Sequence, residues 1–295
     1  MFFVVGSARS GTTLVRMMLN AHSDIAVPPE SRFIVELWRD QDEVEVDGFL
    51  RELESHERWS SWETSIEAVR AQLPADKRVS FATAIEAAYR AYAQEREKSC
   101  WGDKTPRYVE SIPLLARLFP TAKFVHQVRD GRNVALSYAD VPFGPKNVGK
   151  AATLWARRVV AGIRDGRPLG PTRYMELRYE DLVVDPDRSV KALCSFLDVR
   201  YDPGMLDYTE RARGDVLDRA ARYNPNVTSK PMSKVRSWED YMPRIQVETF
   251  EAVAGDLLDS LEYSRAFPNP TLRARAIASL GSAGLPAGRL KPTRS

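Results

Sequence analysis

Short apolar runs alternate along this chain with stretches whose apolar residues recur at helical spacing. Four runs predict buried strands, at 2–5, 24–27, 123–128 and 173–177, and 99–102 is a weaker fifth. After Thr12, Leu14, Val15, Met18 and Leu19 recur as one face of a helix. Further helices are predicted over 112–118, over 130–138 with Asp130 as N-cap, and over 147–164 with Leu154, Trp155 and Val159 on one side. Two more follow, 189–197 capped by Asp187 and 243–261. Strands that alternate with helices predict an α/β domain with a central parallel β-sheet flanked by helices.

Residues 41–98 break that rhythm. They are rich in Glu, Arg and Ala, carry helical patterns and offer no strand signal, which predicts a helical insertion over one end of the sheet. The expected organisation is one domain over 1–267, followed by a small, basic, Ala/Gly/Pro-rich tail over 268–295 that is partly disordered.

Composition narrows the function classes. The chain has 43 Lys and Arg against 40 Asp and Glu, so its net charge of +3 argues against nucleic acid as the main partner. Any anion site must be local. Cys100 and Cys194 are far apart and lack metal or disulfide spacing, so both are expected to be buried free thiols. No stretch reaches the ~20 apolar residues of a membrane span, and no signal-peptide pattern opens the sequence. A cytoplasmic protein is the expectation.

"GSARSGTT", residues 6–13, follows the first predicted strand and opens the first helix. Backbone N–H groups at such a turn, together with the positive end of the helix dipole, make an anion site. Gly6 and Gly11 let the backbone approach the anion, and Thr12 and Thr13 add hydroxyls. The outline is that of a phosphate loop, so the domain is of the P-loop type, but Thr12 stands where a nucleotide hydrolase keeps its lysine. No predicted strand ends in a clear Mg²⁺-binding aspartate. The loop suits a doubly substituted phosphate better than a metal-bound triphosphate.

A second basic cluster is "VRDGRNVALS", residues 128–137. Arg129 and Arg132 lie at the carboxyl end of a predicted strand, with the Ser137 hydroxyl on the next helix. This group could grip a second phosphate or could simply be a solvated helix start.

The two motifs together resemble the sulfotransferases that use 3′-phosphoadenosine 5′-phosphosulfate (PAPS). The resemblance extends through "RSGTTLVRMMLNAHSDIAVPPESR" (9–32), "DKTP" (103–106) and "RYEDLVVDP" (178–186), and is closest to the tyrosylprotein branch and its bacterial relatives. It implies a transferase moving a sulfuryl group from PAPS to an acceptor hydroxyl, leaving adenosine 3′,5′-bisphosphate and needing no metal. By that resemblance Arg9, Ser10, Gly11, Thr12 and Thr13 hold the 5′-phosphosulfate, and Arg129 and Ser137 hold the 3′-phosphate. Glu30 is implied as the base, and Lys104 and Arg9 as the cations that meet developing charge. His22 and His126 are rival bases: His126 lies inside a strand as a core histidine would, and His22 lies at a helix end, where it can contact carbonyls. Leu14 stands where the cytosolic branch often has a tryptophan, so Tyr179 is taken as the adenine contact. Ser233, Lys234 and Arg236 are candidates to close over the nucleotide. The rivals are a phosphate-loop small-molecule kinase and a nucleotide-binding module without catalysis. Nothing in the sequence separates a small molecule, sugar, lipid or peptide tyrosine as the acceptor, or fixes the oligomeric state.

Overall fold

The computed structural model describes residues 1–211 and 237–281. Its centre is a five-stranded sheet of β1 (Phe2–Gly6), β2 (Ile25–Ala26), β5 (Cys100–Lys104), β6 (Lys123–Val128) and β7 (Tyr174–Arg178). The spatial order is β2-β5-β1-β6-β7, and every pairing in it is parallel. The α/β reading is therefore correct, and the weak fifth strand is a full neighbour of β1.

All five residues of β1 are buried, as expected of a central parallel strand covered on both faces. Phe3, Val5 and Phe124 face one way and pack with Phe33, Trp62 and Tyr89. Phe2, Val4 and Val125 face the other way, against Leu14, Met18 and Leu193. A third cluster joins Val128 and Trp155 to Phe250 and Leu258 in the helix Arg244–Ser260. Period-2 alternation along the strands thus separates two cores.

Since β1 lies between β5 and β6, the chain leaves its carboxyl end toward one half of the sheet and later returns to the other. The crevice outside the strand ends at such a point is where ligands bind in open α/β sheets. The loop 7–11 sits there.

Three sequence expectations need correction. The region 41–98 is not purely helical: β3 (Glu43–Glu45) pairs antiparallel with β4 (Arg78–Ser80), with Val44 opposite Val79 and Glu45 opposite Arg78. Each strand holds one apolar residue among exposed polar ones, too short an alternation to register. The helix predicted after Asp187 begins earlier, over Pro186–Leu197, with Asp185 capping the Arg188 amide. Proline at the first helical position favours that start. Finally, the stretch after Pro268 is not simply a tail, because Leu272–Gly281 is a helix whose Ala274 and Ala278 are buried. Thr271 fixes its start, donating its amide and hydroxyl to Glu248 at 3.2 and 2.6 Å. Among the described residues no helix is long and apolar enough to cross a membrane.

Candidate active site

The loop after β1 runs into the helix Thr12–Ala21 through Gly11, whose φ of 92° and lack of a side-chain cap leave the Thr12 and Thr13 amides to an external acceptor, while the Leu14 amide donates to the Gly11 carbonyl at 2.9 Å. Glycine is required at this position. A Cβ on Gly11 would lie 2.3 Å from the Tyr179 ring, so the aromatic face and the bare backbone share one wall. Arg9 also adopts left-handed backbone, φ 73°, which is costly for a residue with a Cβ. Ser10 is fully buried and its Oγ has no hydrogen-bond partner. Thr12 is nearly buried, while Thr13 is half-exposed.

Arg9 and Ser137 meet across the crevice. Arg9 Nε donates to Ser137 Oγ at 2.9 Å, and Arg129 Nη1 donates to the Arg9 carbonyl at 3.2 Å. Accepting from Arg9 leaves the Ser137 proton available to an anion. The Arg129 guanidinium lies 4.2 Å from the centre of the Tyr179 ring, and its Nε is buried without a partner. Trp155 Nε1 donates to the Arg129 carbonyl at 3.1 Å, fixing the strand end. Burial and the charge of Arg129 both lower the Arg9 pKa, a stress that a bound anion would relieve. Bare first-turn amides, two close arginines and orphaned Ser10 and Arg129 atoms fit a nucleotide that carries two separate phosphates.

Arg132 does not join this clamp. It is 2% exposed and pairs with Asp130 at 2.7 Å and Glu251 at 2.6 Å, under the face of Trp238. The N-cap carboxylate of Asp130 and the helix-borne carboxylate of Glu251 consume its charge, so its role is to lock the helix Gly131–Tyr138 in place.

Glu30 and Lys104 come together. Lys104 ends β5, and its Nζ donates to Glu30 Oε1 at 2.7 Å. The Lys104 side chain is 6% exposed and that of Glu30 is 34%, so the open side of the pair belongs to the carboxylate. Burial pushes the Glu30 carboxyl up, but the Lys104 charge and hydrogen bond, with Arg32 and Arg58, outweigh it and hold the pKa below the ordinary carboxylate value. The following helix starts only at Phe33, so Glu30 is not its first-turn carboxylate.

The histidines take no part in this geometry. His126 is fully buried with Nδ1 2.6 Å from the Tyr174 hydroxyl, and burial lowers its pKa to about 4. His22 closes the first helix, with Nε2 2.7 Å from the Arg200 carbonyl. Lys234 and Arg236, like Ser233, lie outside the described residues.

The match to known proteins decides the family. The model of the sulfotransferase family fits residues 2–203, more than half of the chain, and includes Arg9, Glu30, Lys104, Arg129 and Ser137. This chain belongs to the sulfotransferase family. It is 26% identical over 259 residues to protein-tyrosine sulfotransferase 2 of Gallus gallus, covering 82% of the chain and 64% of that protein. To protein-tyrosine sulfotransferase of Drosophila melanogaster it is 27% identical over 288 residues, covering 92% and 52%. The chain thus spans between half and two thirds of the length of these two curated relatives. The sulfotransferase domain of the Synechococcus PCC 7002 olefin synthase superposes with a TM-score of 0.59 at 23% identity, covering 97% of this chain and 95% of that domain. The sulfotransferase domain from the curacin biosynthetic pathway gives 0.55 at 21% identity, covering 97% and 98%. At these identities the superpositions speak for the fold.

The supports of this site are not legible in the sequence. Arg16, on the first helix, is buried and its Nε donates to the carbonyls of Val27 and Pro28 at 2.9 Å each, fixing the arm that leads to Glu30. Its basic character inside an apolar helical face was the available signal. Beside the residues that follow Glu30 and Lys104 opens a cleft of about 450 Å³, lined by Arg32, Thr105, Arg107, Tyr108, Arg157 and Arg158 together with Glu36 and Glu110, and Glu110 pairs with Arg157 and Arg158 at 2.9 and 3.2 Å. Those arginines come from three separate segments, so no local pattern announced them.

Proposed function

We propose that this protein transfers a sulfuryl group from PAPS to an acceptor hydroxyl, with adenosine 3′,5′-bisphosphate as the other product. The observation that carries the reading is the Lys104–Glu30 contact beside an uncapped glycine loop, because it sets a cation and a carboxylate at one point of an anion site. The nucleotide would be held by the first-turn amides and by Thr12 and Thr13 at one phosphate, and by Arg129 and Ser137 at the other. Tyr179, beside Gly11 and Arg129, offers a face for the adenine. The bound donor supplies the sulfuryl group.

The chain's own groups then divide the work. Glu30 accepts the hydroxyl proton of the acceptor as that oxygen attacks, from its exposed side. Lys104, nearly buried, neutralises charge that grows on the leaving phosphate, and low exposure strengthens that interaction. Arg9 bridges the two phosphate sites through Ser137 and adds a fixed planar cation. The acceptor lies in the cleft beside the pair, where four arginines outnumber Glu36 and Glu110, an excess that favours a hydroxyl compound with an acidic group near the reacting oxygen.

Calorimetry tests the donor half of this reading. Adenosine 3′,5′-bisphosphate should bind far more tightly than adenosine 5′-monophosphate, because the 3′-phosphate adds about −1.5 to −2 charge opposite Arg129. Equal affinities would overturn the second clamp and with it PAPS as the donor.

A further inference from the structure

The residues directly after Glu30 and directly around Lys104 meet in a buried cluster that the transfer reaction does not itself use. Asp103 precedes Lys104 on β5, Thr105 follows it, and Ser31 follows Glu30. Asp103 and Ser31 are fully buried, Thr105 is 1% exposed, and Tyr89 and Tyr108 complete the group at 0% and 3%. Charged side chains are rarely buried to this degree without a cation. Around Asp103 stand the hydroxyls of Ser31, Tyr89 and Thr105, and of these Tyr89 donates to it.

The direction of each proton follows from what each hydroxyl already accepts. The Ser31 amide donates to Thr105 Oγ1 at 3.1 Å, which leaves the Thr105 proton to be given elsewhere. The Ile34 amide donates to the Tyr108 hydroxyl at 3.1 Å, and that hydroxyl lies 2.9 Å from Ser31 Oγ. Tyr108 giving its proton to Ser31, and Ser31 passing its own onward to Asp103 or to Thr105 Oγ1 at 3.4 Å, is the arrangement that leaves neither hydroxyl proton stranded. Tyr89 donates to Asp103 Oδ2 at 2.7 Å. Asp103 Oδ1 has no donor in bonding geometry, with the Ser31 and Thr105 hydroxyls standing beside it as the available ones. An acceptor-only carboxylate is the group on which three such protons can converge.

We propose that Asp103 is a positioning residue, gathering the protons of Ser31, Thr105 and Tyr89 so that the arm carrying Glu30 is fixed against the strand carrying Lys104. The inference rests on the sulfuryl-transfer reading for its activity arm only. Its consequence is a pH dependence separate from that of Glu30. Burial pushes the Asp103 carboxyl up to about 6, the nearby hydroxyls of Ser31, Tyr89 and Thr105 oppose that rise, and the Glu30 charge adds to it. The titratable groups facing it are Tyr89 from the helix Phe81–Gln94, Tyr108 from the segment Pro106–Glu110 and Glu30 from the loop after β2, while Lys104, next on its own strand, points to the other face. Protonation would turn an acceptor toward donors and loosen the junction.

Asp103→Asn keeps the volume but places an NH₂ before two donor hydroxyls. With PAPS and a simple phenol as acceptor, turnover at neutral pH should fall on the order of tenfold to a hundredfold, as expected for a small misplacement of reacting groups. Affinity for adenosine 3′,5′-bisphosphate should stay within about twofold. The wild-type loss of rate centred near pH 6 should vanish in the variant. Wild-type turnover with an unmoved pH profile, or equal losses of turnover and bisphosphate affinity, would overturn the proposal. Should Asp103→Asn not fold, Thr105→Val removes one arm of the cluster without changing shape and is judged by the same turnover and affinity criteria. A readout independent of activity is labelling of Lys104 by a small amine reagent, followed by mass spectrometry. It should rise several-fold in Asp103→Asn while other lysines keep their rates, and unchanged Lys104 labelling would overturn the proposal. If the wild type transfers to no hydroxyl at all, the sulfuryl-transfer reading fails, and the labelling result still decides the role of Asp103.

Discussion

Lys104 Nζ and Glu30 Oε1 stand 2.7 Å apart, so the cation proposed to meet the donor and the carboxylate proposed to serve the acceptor begin as partners. The pairing lowers the Glu30 pKa and keeps Lys104 from facing its nearly buried site alone. A donor that draws Lys104 toward its own negative charge would free Glu30 for its proton. Binding of the donor before the acceptor is the order that follows.

Glu30→Gln keeps an oxygen that can accept from Lys104 but cannot take a proton. Turnover should fall by on the order of 10² to 10⁴, with bisphosphate affinity nearly unchanged. Lys104→Ala should lower turnover more than donor affinity, since its contact strengthens as charge builds. Steady-state and pre-steady-state rates beside calorimetry separate the two effects. A Lys104→Ala enzyme with normal turnover and only a raised donor KM would make Lys104 a ground-state contact.

Arg129→Ala should remove most of the preference for adenosine 3′,5′-bisphosphate over the 5′-monophosphate. A charge-assisted contact of this kind contributes about 1.5–3 kcal/mol. Ser137→Ala should cost less and should also release Arg9, whose Nε now donates to that hydroxyl. Calorimetry with both nucleotides checks the order of the two effects.

The chain should lose stability as pH falls toward 4, through His126. Its pKa is about 4 when folded, against roughly 6.5 when the chain is unfolded. Below the higher value the unfolded chain takes up a proton that the folded chain refuses, so stability drops between those two pH values. At pH 5 the loss from this residue is about 2 kcal/mol, by the standard linkage relation. Urea titrations should show this slope in the wild type and a flatter one in His126→Gln, whose turnover per folded molecule should match the wild type.

Gly11→Ala forces a Cβ into the Tyr179 ring and into a φ of 92°. The backbone strain alone is about 1–3 kcal/mol. Bisphosphate affinity should fall with stability, because the displaced ring and the displaced amides belong to one wall. Thermal melts with and without the bisphosphate report both.

Much of this was legible in the chain, for local reasons. The central strands are continuous apolar runs, and the glycine loop lies between one of them and a helix, so both strand and loop follow from neighbouring residues. Glu30 and Lys104 were each named from motifs, yet their contact spans 74 positions and comes from the β2–β5 pairing. Arg132 misled because its two carboxylate partners include Glu251, more than a hundred residues away. β3 and β4 escaped because three residues cannot express a period of two. The proton-gathering at Asp103 depends on which hydroxyls already accept, and that is set by backbone amides no sequence pattern displays.

The most direct measurement is mass spectrometry of a panel of hydroxyl compounds incubated with the protein and PAPS, each run beside Glu30→Gln. Sulfuryl transfer with Glu30 as the base predicts a sulfuryl group on at least one acceptor that carries an acidic group, stoichiometric release of adenosine 3′,5′-bisphosphate, and near loss of both in the variant. Product forming equally well with Glu30→Gln, or phosphoryl transfer from ATP in place of sulfuryl transfer from PAPS, would contradict it.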